Sequence, residues 1–340
     1  MTESGKETVF HNYVHENLSP KKTQRDKITT RYEQLNVALG EDKIFQTGSY
    51  ARKTAIDPVH DLDTIYVFGS GSTNTEVEWE EEIEKLVAQI DSAFKNQVTI
   101  TKQPRSIRLE LEGDDFSVDI VPALELDETN EDGDPIYLIP EVARISPHNR
   151  ALWYESRQKT GKPIDSLKTD PRGYKSQVKK LDESTEKRFR KIVKFVKAWR
   201  HGCKEINDDF ALKSFHSEQI LAKICSQDSS RNSLSIVSEF FEKMENYLSI
   251  PQFPDRADSS RYIDEYVAGV SDDKRKEILT ESSVALKHLS TIAEASNDKD
   301  VETILSRVVR RTSNTDSPKN QHSSRPSYSS SDRGVYFACN

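Results

Sequence analysis

Residues 48–63, GSYARKTAIDPVHDLD, and residues 116–121, FSVDIV, decide the fold of this chain. Asp61 and Asp63 stand two residues apart at the start of an apolar run, and strand side chains at that spacing point to the same face. Asp119 lies inside the second apolar run. If the two strands pair, three carboxylates meet at one place. Because carboxylates so close together stay ionised only beside cations, the pattern predicts a pair of magnesium ions about 3.5–4 Å apart, with manganese as a substitute.

The opposite interpretation treats each acid as a solvated strand end. It is weakest for Asp119, because unpaired carboxylates avoid apolar strands.

A Gly-Ser turn comes shortly before the acid pair. Gly48 lets the backbone approach a phosphate closely, and Ser49 offers a hydroxyl donor. If a helix begins at Ser49, its free N–H groups favour an anion at the same point. The turn is not a Walker loop, because no Gly-Lys-Ser or Gly-Lys-Thr follows it. Taken alone it is equally an ordinary turn with an N-cap serine, and only its place before the acids favours a nucleotide phosphate.

Composition excludes several classes of protein. The 340 residues carry a net charge of −8, so the whole surface is not a generic nucleic-acid binder. No run approaches the 18 apolar residues of a membrane span, and the N-terminus lacks the apolar core of a signal peptide. The three cysteines, Cys203, Cys225 and Cys339, show neither metal-ligand spacing nor a disulfide framework. We therefore expect a cytoplasmic protein with no membrane contact and no stable nucleic-acid partner.

The residue patterns predict an α+β fold in two lobes. Strands are predicted over 43–47, 61–68, 98–112 and around Asp119, and helices over 76–94, 187–201, 212–226, 234–247, 273–295 and 301–309. Residues 1–165 should form a mixed-sheet lobe with an N-terminal helix, and residues 166–311 a helical lobe. Residues 312–340 are rich in Ser, Asn, Asp and Pro, which predicts a flexible tail.

The order of these motifs resembles the DNA polymerase β-type nucleotidyltransferase superfamily. The string QTGSYARKTAI at 46–56 is similar to the branch that contains oligoadenylate synthetase, cyclic GMP-AMP synthase and the bacterial cGAS-like synthases, the CD-NTases. Ile139-Pro140, Trp153, Val196-Lys197-x-Trp199 and the string LKSFHSE at 212–218 agree with that branch. One departure is Lys53, at a position where these enzymes usually have glycine.

The resemblance implies a bilobed, polymerase β-like enzyme that binds an NTP in the cleft between the sheet and the helices. The catalytic and metal-binding residues would be Asp61, Asp63 and Asp119, and the nucleotide-binding residues Gly48, Ser49, Lys197 and Ser214. The substrates would be ATP, GTP, UTP or CTP, and the product a cyclic di- or trinucleotide second messenger of bacterial anti-phage signalling. That product would activate a separate effector protein, and an accessory protein acting on the C-terminal tail is a further implied partner.

Two other functions stay open at this point. A template-independent RNA nucleotidyltransferase of the CCA-adding or poly(A) type would need a basic groove, for which Arg188, Arg190 and Lys194 are candidates, although the acidic net charge counts against it. The basic face of that helix is otherwise a solvated surface. A non-enzymatic nucleotide sensor on the same fold is the third hypothesis, and the intact acids argue against it.

Overall fold

The computed structural model describes residues 1–95, 97–103, 105–141 and 165–310. In this part of the chain, seven strands form one sheet and the helices divide between that sheet and a lobe of their own. The strands are β1 (Ile44–Gln46), β2 (Asp61–Gly71), β3 (Val98–Lys102), β4 (Ile107–Leu111), β5 (Ser117–Thr129), β6 (Pro135–Pro140) and β7 (Ser166–Thr169). The helices are α1 (Glu3–Tyr13), α2 (Lys22–Leu39), α3 (Gly48–Ala51), α4 (Trp79–Phe94), α5 (Pro171–Ser184), α6 (Phe189–Ile206), α7 (Ser214–Gln227), α8 (Ser233–Glu242), α9 (Met244–Ser249), α10 (Asp272–Ser290) and α11 (Asp298–Val309).

The sheet is mixed, as the sequence predicts. Its order is β1-β2-β5-β4-β3, with β6 beside β5 and β7 beside β6. Only β2 and β5 run parallel, and every other pair is antiparallel. Gly113, at φ +81°, lies in the predicted hairpin turn between β4 and β5. The predicted strand over 98–112 is in fact two paired strands, because the chain reverses between Lys102 and Ile107.

Two amphipathic helices cover one face of the sheet. Ile28 and Leu35 of α2 and Ile83 and Leu86 of α4 are buried in one apolar cluster with residues of β2, β4 and β5. These positions repeat at helical spacing, so one stripe of each helix faces the strands. The core of this lobe therefore forms on the side of the sheet against which both helices pack.

The helical lobe is built around α6. Its predicted apolar stripe is fully buried, and Trp199 packs edge-on against Phe210 and Phe241 at ring distances of 5.8 and 4.8 Å. Helices α7, α8, α10 and α11 share the same apolar cluster. None of the helices in the ranges described above is long and apolar enough to cross a membrane.

The first helix, α1, packs on the helical lobe, whereas α2, the next α-helix, packs on the sheet. Phe10 of α1 contacts Phe195 of α6 at a ring distance of 5.1 Å, and Lys6 donates to the Ala293 carbonyl oxygen at 2.8 Å. The reason is an apolar stripe that includes Val9 and Val14, for which the helices offer matching apolar surface. The predicted tail at 312–340 and Trp153 lie outside the described residues.

Candidate active site

The three predicted acids meet on neighbouring strands. In the parallel pairing of β2 with β5, Asp63 lies directly beside Asp119, and Asp61 lies beside Ser117. Residues in register on adjacent strands point to the same face, and so do residues two apart on one strand. All three carboxylates therefore share one face of the sheet.

An arginine that the sequence analysis left unassigned joins two of these acids. Arg108 of β4 is the register partner of Asp119 on the other side of β5. Its Nε donates to Asp119 Oδ1 at 2.9 Å, and its Nη2 donates to Asp119 Oδ2 at 2.6 Å and to Asp61 Oδ1 at 3.1 Å. Ser117 Oγ also donates to Asp61 Oδ1, at 2.7 Å. Asp119, only 1% exposed, is thus a buried carboxylate with a bidentate cationic partner.

The pKa of Asp63 is strongly raised. Burial, together with the neighbouring carboxylates of Asp119 and Asp61, raises the pKa of Asp63 to about 8. The nearby Arg52 and Arg108 cations act in the opposite direction but do not offset these effects. A bound cation would favour the ionised form of Asp63.

Gly48 is required at its position by the acid opposite it. The residue has φ +65°, and a Cβ built there would lie 1.7 Å from Asp63 Oδ2. Any larger residue would push the carboxylate aside. The predicted Gly-Ser turn and the predicted acid pair are therefore in direct contact.

The chain after Gly48 forms a closed loop. The Ser49 carbonyl oxygen accepts from the Thr54 and Ala55 N–H groups at 2.9 and 3.1 Å. Ser49 lies in the first turn of α3, where backbone N–H groups have no acceptor within the helix. Lys53 adopts φ +62°, so the turn that usually contains glycine is kept here by a lysine in the left-handed conformation. The loop therefore stays closed with lysine in place of glycine, at a cost in backbone strain.

The predicted phosphate-binding lysine of the helical lobe contacts this loop. Lys197 of α6 is 7% exposed, and its Nζ donates to Thr54 Oγ1 at 3.0 Å and to Glu218 Oε2 at 2.8 Å. Glu218 of α7 also accepts from Arg52 Nε at 2.6 Å and from Thr54 Oγ1 at 3.0 Å. An ammonium group has three N–H donors, and these contacts use two of them.

The remaining basic residues of α6 also bind protein groups. Arg190 Nε donates to the Arg52 carbonyl oxygen at 3.0 Å, and Lys194 Nζ donates to Ser19 Oγ at 3.0 Å. Burial and the nearby cations, Arg25 first among them, lower the pKa of Lys194 to about 8. The basic face of α6 therefore lies against other elements of the protein.

Ser214, the last predicted nucleotide-binding residue, begins α7 and is half-buried. Its position depends on a tyrosine: the Tyr266 hydroxyl accepts from the Lys213 N–H at 3.0 Å and lies 2.9 Å from His216 Nδ1. Burial lowers the pKa of His216 to about 3, so the ring is neutral at physiological pH. The start of α7 is thus held by the Tyr266 hydroxyl, which also contacts the neutral ring of His216 within the same helix.

The donor set suits magnesium, although the side chains do not stand in a ligand geometry. Within the described residues, no group of three His, Cys, Asp or Glu is placed so that it could hold a metal ion. The Arg108 guanidinium hydrogen-bonds both carboxylate oxygens of Asp119 and one of Asp61, so these oxygens are arranged around the arginine. The chemistry nevertheless fits: three crowded carboxylates provide the hard oxygen ligands that magnesium prefers.

Two residues of the site were missed or underused in the sequence analysis. Arg108 was not assigned to the site, and Glu218 appeared only inside the string at 212–218. The sequence did indicate a role for Arg108, because it is a charged residue in an apolar strand, and a short turn joins that strand to the Asp119 strand. Glu218 had none, because its partners are 21 to 166 residues away in sequence.

Comparisons with known proteins agree with this arrangement. Residues 6–141 match the family described as the Second Messenger Oligonucleotide or Dinucleotide Synthetase (SMODS) domain. No curated protein sequence matches the chain. The 136 residues that match the family, 6–141, contain strands β1 to β6 and all three acids.

Solved structures share the fold over nearly the whole chain. CdnC of E. coli MS115-1, solved in complex with HORMA-deltaN, is 18% identical, with 89% of this chain and 96% of that chain covered and a TM-score of 0.64. Escherichia coli DncV in its 3'-deoxy GTP bound form is 11% identical over 88% and 96%, with a TM-score of 0.63. The CdnE cyclic dinucleotide synthase of Elizabethkingia meningoseptica, with GTP and Apcpp, is 14% identical over 83% and 98%, with a TM-score of 0.54. The predicted α+β fold with a mixed-sheet lobe and a helical lobe is confirmed, and the match over residues 6–141 agrees with the predicted family resemblance.

Proposed function

We propose that the protein, whose residues 6–141 match the Second Messenger Oligonucleotide or Dinucleotide Synthetase domain, is a metal-dependent nucleotidyltransferase that joins NTPs into a cyclic oligonucleotide. The observation that carries the proposal is the register of β2 with β5, which sets Asp63 beside Asp119 with Asp61 on the same face. Such a trio can hold a pair of divalent cations, magnesium first and manganese as a substitute.

The three acids divide the metal-binding task in this proposal. Asp61 and Asp63 would hold both ions, and Asp119 the ion nearer the attacking hydroxyl. When bound, the ions would supply charge for the phosphoryl oxygens and lower the pKa of the attacking hydroxyl. Because Asp119 is held bidentately by Arg108, its carboxylate plane is fixed before any substrate arrives.

The loop at Gly48 would receive the donor triphosphate. Its backbone N–H groups in the first turn of α3 can donate to phosphate oxygens, and the Ser49 hydroxyl can add one more donor. Lys197 has one N–H left after its contacts with Thr54 and Glu218, and Ser214 begins the neighbouring helix. Phosphoryl transfer depends mainly on positioning and charge neutralisation, and these residues would provide both.

The biological setting follows the resemblance. We propose ATP, GTP, UTP or CTP as substrates and a cyclic di- or trinucleotide as product, made in the cytoplasm as a second messenger of anti-phage signalling. A separate effector protein would respond to the product. An accessory protein would act on the tail at 312–340, which lies outside the described residues.

The test is product analysis with matched variants. Purified protein, magnesium and labelled NTPs should give small products that resist phosphatase, because a ring has no terminal phosphate. Asp61→Asn with Asp63→Asn should abolish them. Asp115→Asn, which changes a 62% exposed carboxylate in the turn before β5, should leave them unchanged. Linear or RNA-attached products only, or full activity in the double variant, would disprove the proposal.

The protein contacts of the candidate RNA-binding cations count against the RNA nucleotidyltransferase alternative. Arg188 donates to the Ser229 carbonyl oxygen and to Glu186, and Arg190 donates to the Arg52 carbonyl oxygen and to Asp182. Lys194 donates to Ser19. Since all three candidate cations have protein partners, they offer little to a polyanion.

A further inference from the structure

A fully buried carboxylate, Glu218, connects the two lobes. Its side chain is 0% exposed, and it accepts hydrogen bonds from Arg52, Thr54 and Lys197. Arg52 and Thr54 belong to the loop that follows Gly48, whereas Lys197 and Glu218 belong to α6 and α7. One carboxylate therefore fixes the loop of the sheet lobe against two helices of the other lobe.

The contacts of Glu218 lead to all of the proposed phosphate-binding residues. The Thr54 N–H donates to the Ser49 carbonyl oxygen, which couples the Ser49 backbone to Thr54. Lys197 is a direct partner. The guanidinium of Arg52 stacks 5.0 Å from the ring centre of Phe215, the residue after Ser214.

Electrostatics make the connection strong. Burial acts to raise the pKa of Glu218, but the Arg52 and Lys197 cations outweigh burial and lower the pKa to about 2. The carboxylate is therefore ionised under all working conditions. Arg52 and Lys197 thus place two basic groups against one carboxylate next to the loop, and burial lowers the pKa of Lys197.

We propose that Glu218 is a positioning residue that holds the Gly48–Ser49 loop, Lys197 and the start of α7 in one arrangement for the donor triphosphate, an inference that rests on the proposed function. Its complete burial excludes direct contact with a nucleotide, so it acts through Arg52, Thr54 and Lys197. A loss of Glu218 would leave two buried cations without their carboxylate and would release the loop from the helices.

Binding measurements with four variants test this role. The probe is an ATP analogue with a non-cleavable α–β bridge, titrated calorimetrically into the full chain with magnesium. Glu218→Gln should weaken binding at least tenfold, and Thr54→Val, a milder variant, about threefold. The double variant should lose less than the product of the two single effects, because both changes act on one network. Glu239→Gln is the matched control: this carboxylate, 8% exposed, binds Arg231 and Lys243 in the same lobe.

The control separates positioning from plain structural support. Glu239→Gln should lower the melting temperature and keep nucleotide affinity within twofold of the wild type. The inference is overturned if Glu218→Gln, or Thr54→Val where the first variant does not fold, binds the analogue as tightly as the control does. It is equally overturned if the control loses as much affinity. A wild-type chain that neither binds the analogue nor makes product would instead refute the proposed function itself.

Discussion

Replacing Gly48 with alanine tests the contact between the Gly-Ser loop and the acid trio. The added Cβ would lie 1.7 Å from Asp63 Oδ2 and 2.6 Å from Asp63 Cγ, whereas real Cβ contacts essentially never fall below 3.0 Å. The carboxylate or the loop must therefore shift by more than about 1 Å. A displacement of that size in a reacting geometry costs about 100-fold in rate, or about 2.7 kcal/mol of activation free energy.

The backbone adds a second cost that a control can remove. Gly48 has φ +65°, where an alanine costs about 1–2 kcal/mol of stability. Gly113 has φ +81° and nothing within 4 Å of an added Cβ, so Gly113→Ala carries the backbone cost without the contact.

The assay is steady-state product formation at saturating NTP and magnesium, with urea unfolding measured on the same samples. Gly48→Ala should lose at least about 100-fold in kcat, and Gly113→Ala should lose only stability. If Gly48→Ala keeps a kcat within threefold of Gly113→Ala, the contact with Asp63 does not control the chemistry and the reasoning is wrong.

Three further predictions concern stability. Arg108→Met should lower the free energy of unfolding by about 3–5 kcal/mol in the absence of divalent ions, because it removes the guanidinium bound to the buried Asp119 carboxylate. With saturating magnesium the loss of stability should be clearly smaller. Lys53→Gly should raise the free energy of unfolding by about 0.5–1 kcal/mol, since glycine relieves the strain at φ +62° but also loosens the unfolded chain. His216 has its pKa lowered from 6.5 to about 3 by burial, so the unfolded state takes up the proton first as the pH falls. Because of His216, the free energy of unfolding should therefore be about 2 kcal/mol lower at pH 5 than at pH 8. His216→Gln should remove this part of the pH dependence.

Each of these stability predictions has a clear contrary result. An Arg108→Met deficit that magnesium leaves unchanged would show that the guanidinium does not share its carboxylates with a cation. A destabilised Lys53→Gly variant would show that the lysine side chain contributes more than its backbone strain costs. Parallel pH profiles of the wild type and His216→Gln would show that the ring is not desolvated in the folded state.

Local features of the chain were readable without any structure. The side-chain alternation of a strand puts Asp61 and Asp63 on one face whatever the rest of the protein does. The apolar stripe of α6 and the short turn at Gly113 likewise depend on neighbours only a few residues away. Strands β6 and β7 were missed because their residues, six and four in number, carry too short a pattern.

The sequence by itself determined the residue types of the site, the common face of Asp61 and Asp63, and the presence of a carboxylate within an apolar strand. Only the tertiary structure decided that Asp119 lies in register with Asp63, since this depends on the path of the chain through α4, β3 and β4. Only the tertiary structure pairs Arg108 with Asp61 and Asp119, and Lys197 with Glu218. The physical reason is range: backbone geometry is set by adjacent residues, whereas these charges find partners only after distant elements have packed and excluded water.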